Sequence, residues 1–305
     1  MFRKVSFKTI IILFAALLFL VVISKISDHK KGNRTFKRIL TEYDANQINK
    51  IQISKGIDNK NTIEFSKIEN KWTLSYDNKK FNGDKQIIGS IINELNKIHP
   101  SSVTSTKKDR WKEYQVDDSS ATRIKLFAGN EIKGDIFAGK FSFSGRSGKS
   151  YIRIAGDNTT YGVTGMQSSS VNRKPDSFKD KTIISSDKDN WEKISYTYPS
   201  DSSFIIVKKD NYWEINGIKT DSVKTVGFLS TINHVRHYNL ETLTPAKNNP
   251  DYELKIEGKN MSPIIVKGYN QDDKFIVTSN ENVGVFFEGN DLKKKLFPGE
   301  SKFQK

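Results

Sequence analysis

Short runs in which every second residue is apolar recur along most of this chain, and they predict strands. Ile51 and Ile53 alternate with polar neighbours, Ile63 and Phe65 do the same, and Trp72 and Leu74 follow in KWTL. Period-2 patterns of this kind mark half-buried strands. Asn70 and Asp77-Asn78 supply turns between them. The period then changes. Asp84 stands where its carboxylate accepts from the open N–H groups of a helix start. After it Ile87, Ile88, Ile91, Ile92, Leu95 and Ile98 recur at helical spacing until Pro100. Strands return with Ile124 and Leu126, Ile132 and Ile136, Tyr151 to Ile154, and Tyr161 and Val163. Gly129-Asn130, Gly139, Gly156-Asp157 and Gly162 separate them, and such tight turns predict an antiparallel meander.

The same order recurs further on. Ile194, Tyr196 and Tyr198 alternate, Phe204 to Val207 follow, then YWEI with Trp213 and Ile215. Asp221 precedes a predicted helix carrying Val223, Val226, Leu229, Ile232 and Val235. Strands follow at Tyr252 to Ile256, Ile264 to Val266, Phe275 to Val277 and Val285 to Phe287. The expected fold class is α+β: a tandem repeat of two similar units, each an antiparallel sheet with one main amphipathic helix. The expected units are 46–185 and 186–305, either independent domains or halves of one body.

The N-terminus reads differently. Thr9 to Ile23 is an apolar run, and with its flanks it approaches the roughly 20 residues needed to cross a bilayer. Arg3, Lys4 and Lys8 precede it, as in a signal anchor. The expectation is a cytoplasmic tail at 1–8, a transmembrane helix at 9–26 and a polar juxtamembrane stalk at 27–45. The body then lies outside the cytoplasm, at a bacterial inner membrane. A signal peptide cleaved near Val22-Ile23-Ser24 is the alternative.

Composition narrows the partners. Residues 1–38 hold nine basic side chains against one acid, Asp28, so +8 of the chain's net +15 sits beside the apolar run, where cations face anionic headgroups. The body is only mildly basic with both signs interspersed, and nucleic acid is not an expected partner. The absence of cysteine excludes disulfides, thiolate metal sites, cysteine nucleophiles and acylated-cysteine anchors.

The chemical motifs are few. Gly148-Lys149-Ser150 has the ending of a phosphate loop, but Phe143 stands where a glycine is needed and the strand-like YIRIA follows where a helix is needed. His234 and His237 are three apart near a predicted helix end, and solvated histidines account for them better than a metal. Asp117-Asp118 and Asp272-Asp273 read as turn residues facing water. No serine lies in a G-x-S-x-G elbow. No catalytic, cofactor or metal residue is assigned, and the protein is not expected to be an enzyme. Trp72 and Trp213 fall at equivalent places inside strands and read as core. Trp111 and Trp191 fall at segment junctions and are the expected exposed, partner-binding aromatics.

Several stretches taken together resemble the bacterial domain-of-unknown-function 4340 family. They are Ile51-Gln52-Ile53, Lys71-Trp72-Thr73-Leu74 and Gly83-Asp84; Glu113-Tyr114-Gln115-Val116-Asp117-Asp118, similar to an E-Y-G-L-D-D-P segment with Gln115 for the glycine and Ser119 for the proline; Ser150-Tyr151-Ile152-Arg153; Thr160-Tyr161-Gly162-Val163; and Phe178-Lys179-Asp180-Lys181, similar to F-R-D-K. The likeness spans about residues 45–290. It implies a membrane-anchored, extracytoplasmic protein found beside gliding-motility-type ABC transporters, and it brings no catalytic residues.

Two functions follow as expectations. The first is an accessory or scaffold protein that binds a transporter subunit or another envelope protein. The second is a cell-envelope glycan-binding module, with Trp111, Trp191 and several tyrosines as stacking faces and a basic body that favours acidic polymers.

Overall fold

In a computed structural model of the protein, residues 37–304 are described apart from 57–61, 145–146, 166–169 and 243, with Leu17 alone before residue 37. The alternating positions build a first sheet. Strands β1 (Lys50–Lys55), β2 (Ile63–Ile68), β3 (Lys71–Tyr76) and β4 (Lys79–Asn82) form an antiparallel meander, followed by helix α1 (Lys85–Glu94) and strand β5 (Ser102–Ser105). A single-turn helix α2 (Trp111–Tyr114) leads to β6 (Thr122–Ala128), β7 (Glu131–Ser144), β8 (Ser147–Ile154) and β9 (Thr160–Thr164). The nine strands run in the order β4-β3-β2-β1-β6-β7-β8-β9-β5. β1 thus lies inside the sheet, where Ile51 faces Phe65 and Leu126 across the ladders and Ile53 faces Ile63 and Ile124.

α1 starts where the sequence predicts. Asp84 Oδ1 accepts from the N–H groups of Gln86 (2.9 Å) and Ile87 (3.1 Å). A ten-residue helix is marginal in isolation. Its buried Ile88, Ile91 and Ile92, each worth about 1.5–3 kcal/mol on burial, hold it instead. The helix ends at Glu94, earlier than Pro100, because Lys97 turns left-handed (φ 54°) and delivers Ile98 to the core from a turn.

Strand β10 (Thr182–Ser185) comes next, then β11 (Trp191–Thr197), β12 (Phe204–Lys209), β13 (Tyr212–Ile215), β14 (Ile218–Lys219) and helix α3 (Ser222–Ile232). After them come β15 (His234–Arg236), β16 (Leu240–Glu241), β17 (Tyr252–Gly258), β18 (Ile264–Gln271), β19 (Lys274–Ser279), β20 (Phe286–Glu288) and helix α4 (Asn290–Leu296). The second nine-stranded sheet has the order β14-β13-β12-β11-β17-β18-β19-β20-β16, while β10 and β15 pair as a separate antiparallel ribbon. A final turn at Glu300–Phe303 returns to α3: Asp221 N–H donates to the Phe303 carbonyl (2.8 Å), and Phe303 meets Phe228 edge-on at 5.2 Å.

Two expectations are corrected. The fold is mainly β rather than α+β: strands take 44% of the chain against 21% for helices, because tight hairpin turns leave few residues for anything else. The arrangement does not establish a tandem repeat of two units, since the buried side chains merge into one core running from Tyr43 to Phe303. Among the described residues no helix is long and apolar enough to cross a membrane. The tail at 1–8, the transmembrane helix at 9–26 and stalk residues 27–36 lie outside the described residues, Leu17 excepted. The rest of the expected stalk belongs to the body. Leu40 N–H donates to the Ile98 carbonyl, buried Thr41 donates to Leu95 O (2.6 Å), and Tyr43 OH donates to Ile92 O (2.8 Å).

Candidate binding surfaces

The structure places the sequence-selected residues as follows. Trp72 and Trp213 are buried on β3 and β13. Trp111 and Trp191, expected to be exposed, are buried as well, at 7% and 0% exposure. Each indole has its polar edge satisfied, Trp111 Nε1 donating to Asn158 O (2.9 Å) and Trp191 Nε1 to Ser186 Oγ (3.0 Å). Position at a junction in the chain is no guide here, because a connector carrying a large ring folds back to bury it. The glycan-binding alternative therefore loses its two tryptophans.

His234 lies on β15 rather than at a helix end, and its Nδ1 is 3.3 Å from Ser185 Oγ. His237 Nε2 donates to the Glu288 carbonyl (2.7 Å). Among the described residues no three His, Asp or Glu side chains group as a metal site. Gly148-Lys149-Ser150 lies in β8, and Lys149 Nζ donates to Ser102 Oγ (2.8 Å). Asp272-Asp273 is an exposed hairpin turn.

Asp117 is a turn residue too, but a buried one. Its Oδ1 accepts from the N–H groups of Ser119 (3.0 Å) and Ser120 (3.2 Å) and from both hydroxyls. Burial pushes this carboxyl up, and those bonds outweigh it, leaving the group below the usual carboxylate range. Beside it stands a residue that the sequence reading quoted in a family-like stretch and gave no role. Arg153 is 4% exposed, with its guanidinium 3.9 Å from the Trp111 ring centre and 3.7 Å from that of Phe137. Its Nε donates to Val116 O (3.0 Å) and its Nη2 to Asp118 Oδ1 (2.7 Å). Tyr114 meets Tyr151 at 4.8 Å between ring centres. The segments 113–118 and 150–153 thus fasten α2 onto the face of β7 and β8 away from the main core. Gly139 makes the approach possible, since a Cβ there would lie 2.2 Å from Tyr114 O. Burial lowers the Arg153 pKa and Asp118 opposes the shift, so the cation is held in place by packing as well as charge.

A second cluster joins the two sheets. Asp180 N–H donates to Asn82 O, Asp84 N–H to Phe178 O, and Asn282 Nδ2 to Asp180 O (2.8 Å). Asp84, 2% exposed, also accepts from Arg236 Nη2 at 2.6 Å. Lys181, 5% exposed, donates to the carbonyls of Asp176 (2.8 Å) and Lys179 (2.6 Å). Burial brings its pKa down to about 8, against the opposing pull of Asp84, Asp176 and Asp180. A lone basic residue ending the F-K-D-K stretch was its only signal in the sequence. Both clusters brace the fold; neither opens a cleft in which a substrate is gripped.

The outer face of α3 is different. The sequence reading placed Val223 and Val226 on the core side, whereas they are 84% and 46% exposed. The reason is geometric. A ladder of steps of three drifts around a 3.6-residue helix, and the core takes Thr225, Phe228, Leu229 and Ile232, the i, i+3, i+4, i+7 stripe. The displaced valines sit between two hollows. One, of about 540 Å³, is lined by Val223, Lys224, Gly227, Phe228 and Thr231; the other, of about 200 Å³, by Tyr212, Trp213, Val226 and Leu229. Gly227 faces open space, and Ile218 on the edge strand β14 just upstream is 74% exposed.

No curated protein and no solved structure matches the chain. The family described as "Domain of unknown function (DUF4340)" matches residues 76–256. That match covers the first cluster, all of the second but Asn282, the whole of α3, and more than half of the chain: the protein belongs to the DUF4340 family.

Proposed function

We propose that this protein is an accessory of the bacterial envelope that binds another envelope protein through the outer face of α3, without chemistry of its own. The membrane segment at 9–26, with its apolar run Thr9–Ile23, holds it at the inner membrane, and the sheets lie on the extracytoplasmic side. The partner is a membrane-transporter subunit, the role that the family resemblance implies. The observation that carries the reading is the surplus of apolar residues on α3. The core uses one stripe of this helix, and Val223 and Val226 remain outside it between two hollows. Exposed apolar side chains beside grooves fit protein contact better than solvent contact.

The test is capture of the native protein after gentle detergent extraction, followed by mass spectrometry. The same capture is made with Val223→Asp/Val226→Asp. Transporter subunits recovered in defined ratio with the wild type, and lost with the variant, support the reading. A chain recovered alone, or a partner held equally by the variant, refutes it. Both positions are exposed, so the variant's unfolding midpoint should match the wild type and remove misfolding as an explanation.

A further inference from the structure

The first sheet carries a feature that the α3 reading does not use. On its face away from the core, Gln52 and Ser54 of β1, Glu64 of β2, Ser75 of β3 and Lys125 of β6 line an open hollow of about 740 Å³. The β3–β4 turn closes one side, with Asp77 and Asn78 both left-handed (φ 49° and 56°) and Lys79 and Lys80 after them. A second hollow of about 570 Å³ adjoins it and shares Ser54, Tyr76 and Asp77. Its lining is more mixed: Pro175 and the largely buried Ile53, Ile63 and Val171 form its floor, with Thr122, Lys55, Asn172 and Arg173 around them. Both volumes fall within the roughly 300–1,000 Å³ of small-molecule sites.

The charges are unequally matched. Glu64 is occupied by Lys50 (3.1 Å) and Gln52 (2.9 Å), and Arg123 is held bidentately by Asp135 (2.8 and 2.6 Å). Lys79, Lys80 and Lys125 at the first hollow, and Lys55 and Arg173 at the second, have no ion pair among the described residues. Asp77 is the unpaired carboxylate opposing them. Tyr76 stands on the shared wall, its ring stacked on Phe81 (5.6 Å) and its hydroxyl donating to Asp176 (3.0 Å). Burial and then Asp176 push that hydroxyl up to about 12, so it presents a neutral ring to both hollows.

We propose that the two hollows form one binding site for an anionic amphiphile, its headgroup among Lys79, Lys80 and Lys125 and its apolar end against Ile53, Ile63 and Val171, with Tyr76 between. A purely polar anion leaves the second hollow, with Pro175 and the edges of Ile53 and Ile63, unfilled. An uncharged apolar molecule leaves the lysines without counter-charge. A molecule with both parts satisfies both hollows, and their shared wall sets its orientation.

The probe is dodecyl phosphate carrying a photoreactive diazirine at the end of its alkyl chain. It is cross-linked to the full-length protein in nonionic detergent, and the labelled residues are mapped by mass spectrometry. The expected result is labelling on the stretches around Ile53, Ile63 and Val171, displaced by unlabelled dodecyl phosphate and cut at least tenfold by Lys80→Glu/Lys125→Glu. Val223→Asp/Val226→Asp should leave it unchanged, which separates this site from the α3 surface. Labelling confined to other segments overturns the proposal. So does equal labelling of the charge-reversed variant, equal displacement by dodecyl maltoside, which has the tail without the charge, or equal displacement by inorganic phosphate, which has the charge without the tail.

Discussion

Asp84 and Asp221 both cap helices, and only one of them also holds an arginine, Arg236 of the β10–β15 ribbon. Asp221 gives its helix one bond, to Lys224 N–H at 2.9 Å, from a partly exposed position. Removing it costs about 1 kcal/mol, the usual worth of an N-cap. Asp84 caps α1 with two bonds and also accepts from Nη2 of Arg236, whose side chain is 19% exposed and whose buried Nε has no hydrogen-bond partner. Taking one partner from a buried ion pair costs about 3–5 kcal/mol, and the partial exposure of Arg236 selects the lower end. Asp84→Ala is therefore expected to cost about 4 kcal/mol and Asp221→Ala about 1 kcal/mol. Against a total stability of roughly 5–15 kcal/mol the first leaves a marginal protein. Urea unfolding of the full-length chain, followed by tryptophan fluorescence, measures both. A cycle of Asp84→Ala with Arg236→Met should yield a coupling of about 2 kcal/mol. If the two alanine variants lie within about 1 kcal/mol of each other, or the coupling is below about 0.5 kcal/mol, the junction is not the brace described here.

Other outcomes follow from the same geometry. Lys181 has a folded-state pKa of about 8, below its unfolded value, so the folded protein carries fewer protons between the two. Its burial penalty is present in full below about pH 8 and fades as pH rises; the wild type should gain about 2 kcal/mol on Lys181→Met between pH 7.5 and 9.5, and equal pH slopes in urea titrations would contradict this. Gly139→Ala drives a methyl into the Tyr114 carbonyl and should cost about 1–3 kcal/mol by urea unfolding, with loss of the α2 contact seen as faster proteolysis near Trp111. Gln115 ends α2 at φ 56°, a conformation that glycine adopts freely; Gln115→Gly should raise the unfolding midpoint, with a gain of up to about 1 kcal/mol, and a lower midpoint would show that the side chain holds the turn. Arg153→Lys keeps the charge but loses the stacked plane and the Asp118 bond, and should cost about 2 kcal/mol, where Arg110→Lys, on the surface, should leave the unfolding midpoint nearly unchanged.

The strands were legible because their signal is local. Ile51, Ile53, Ile63, Phe65, Trp72 and Leu74 all face the core in the alternation the sequence shows. Both helix starts were legible for the same reason, since a capping aspartate acts on its own neighbours. What was missed depends on contacts between distant residues. Val223 and Val226 have the spacing of a core ladder, and only the position of the sheet decides which side of α3 is inside. Trp111 and Trp191 are covered by segments the sequence does not place beside them. Arg153, Arg236 and Lys181 look like surface cations until Asp118, Asp84 and two backbone carbonyls arrive from elsewhere in the chain. The shift from an expected α+β fold to a mainly β one has the same origin. The starts of α1 and α3 were seen, α2 and α4 were not, and the sheets around them are larger than the local runs suggested.

The interior position of β1 also bears on how the chain is made. β1 pairs with β2 through a local hairpin, but its other edge waits for β6, some 70 residues later in synthesis. Until β6 emerges, the β1–β4 meander has an open row of peptide groups along Lys50–Lys55, beside Ile51 and Ile53. An unpaired edge of that kind recruits strands from other chains. Lys50 and Lys55 bracket it, and their like charges oppose alignment with a second copy of the same segment. Those two lysines act as gatekeepers for a nascent chain, guarding an edge that the finished sheet no longer exposes.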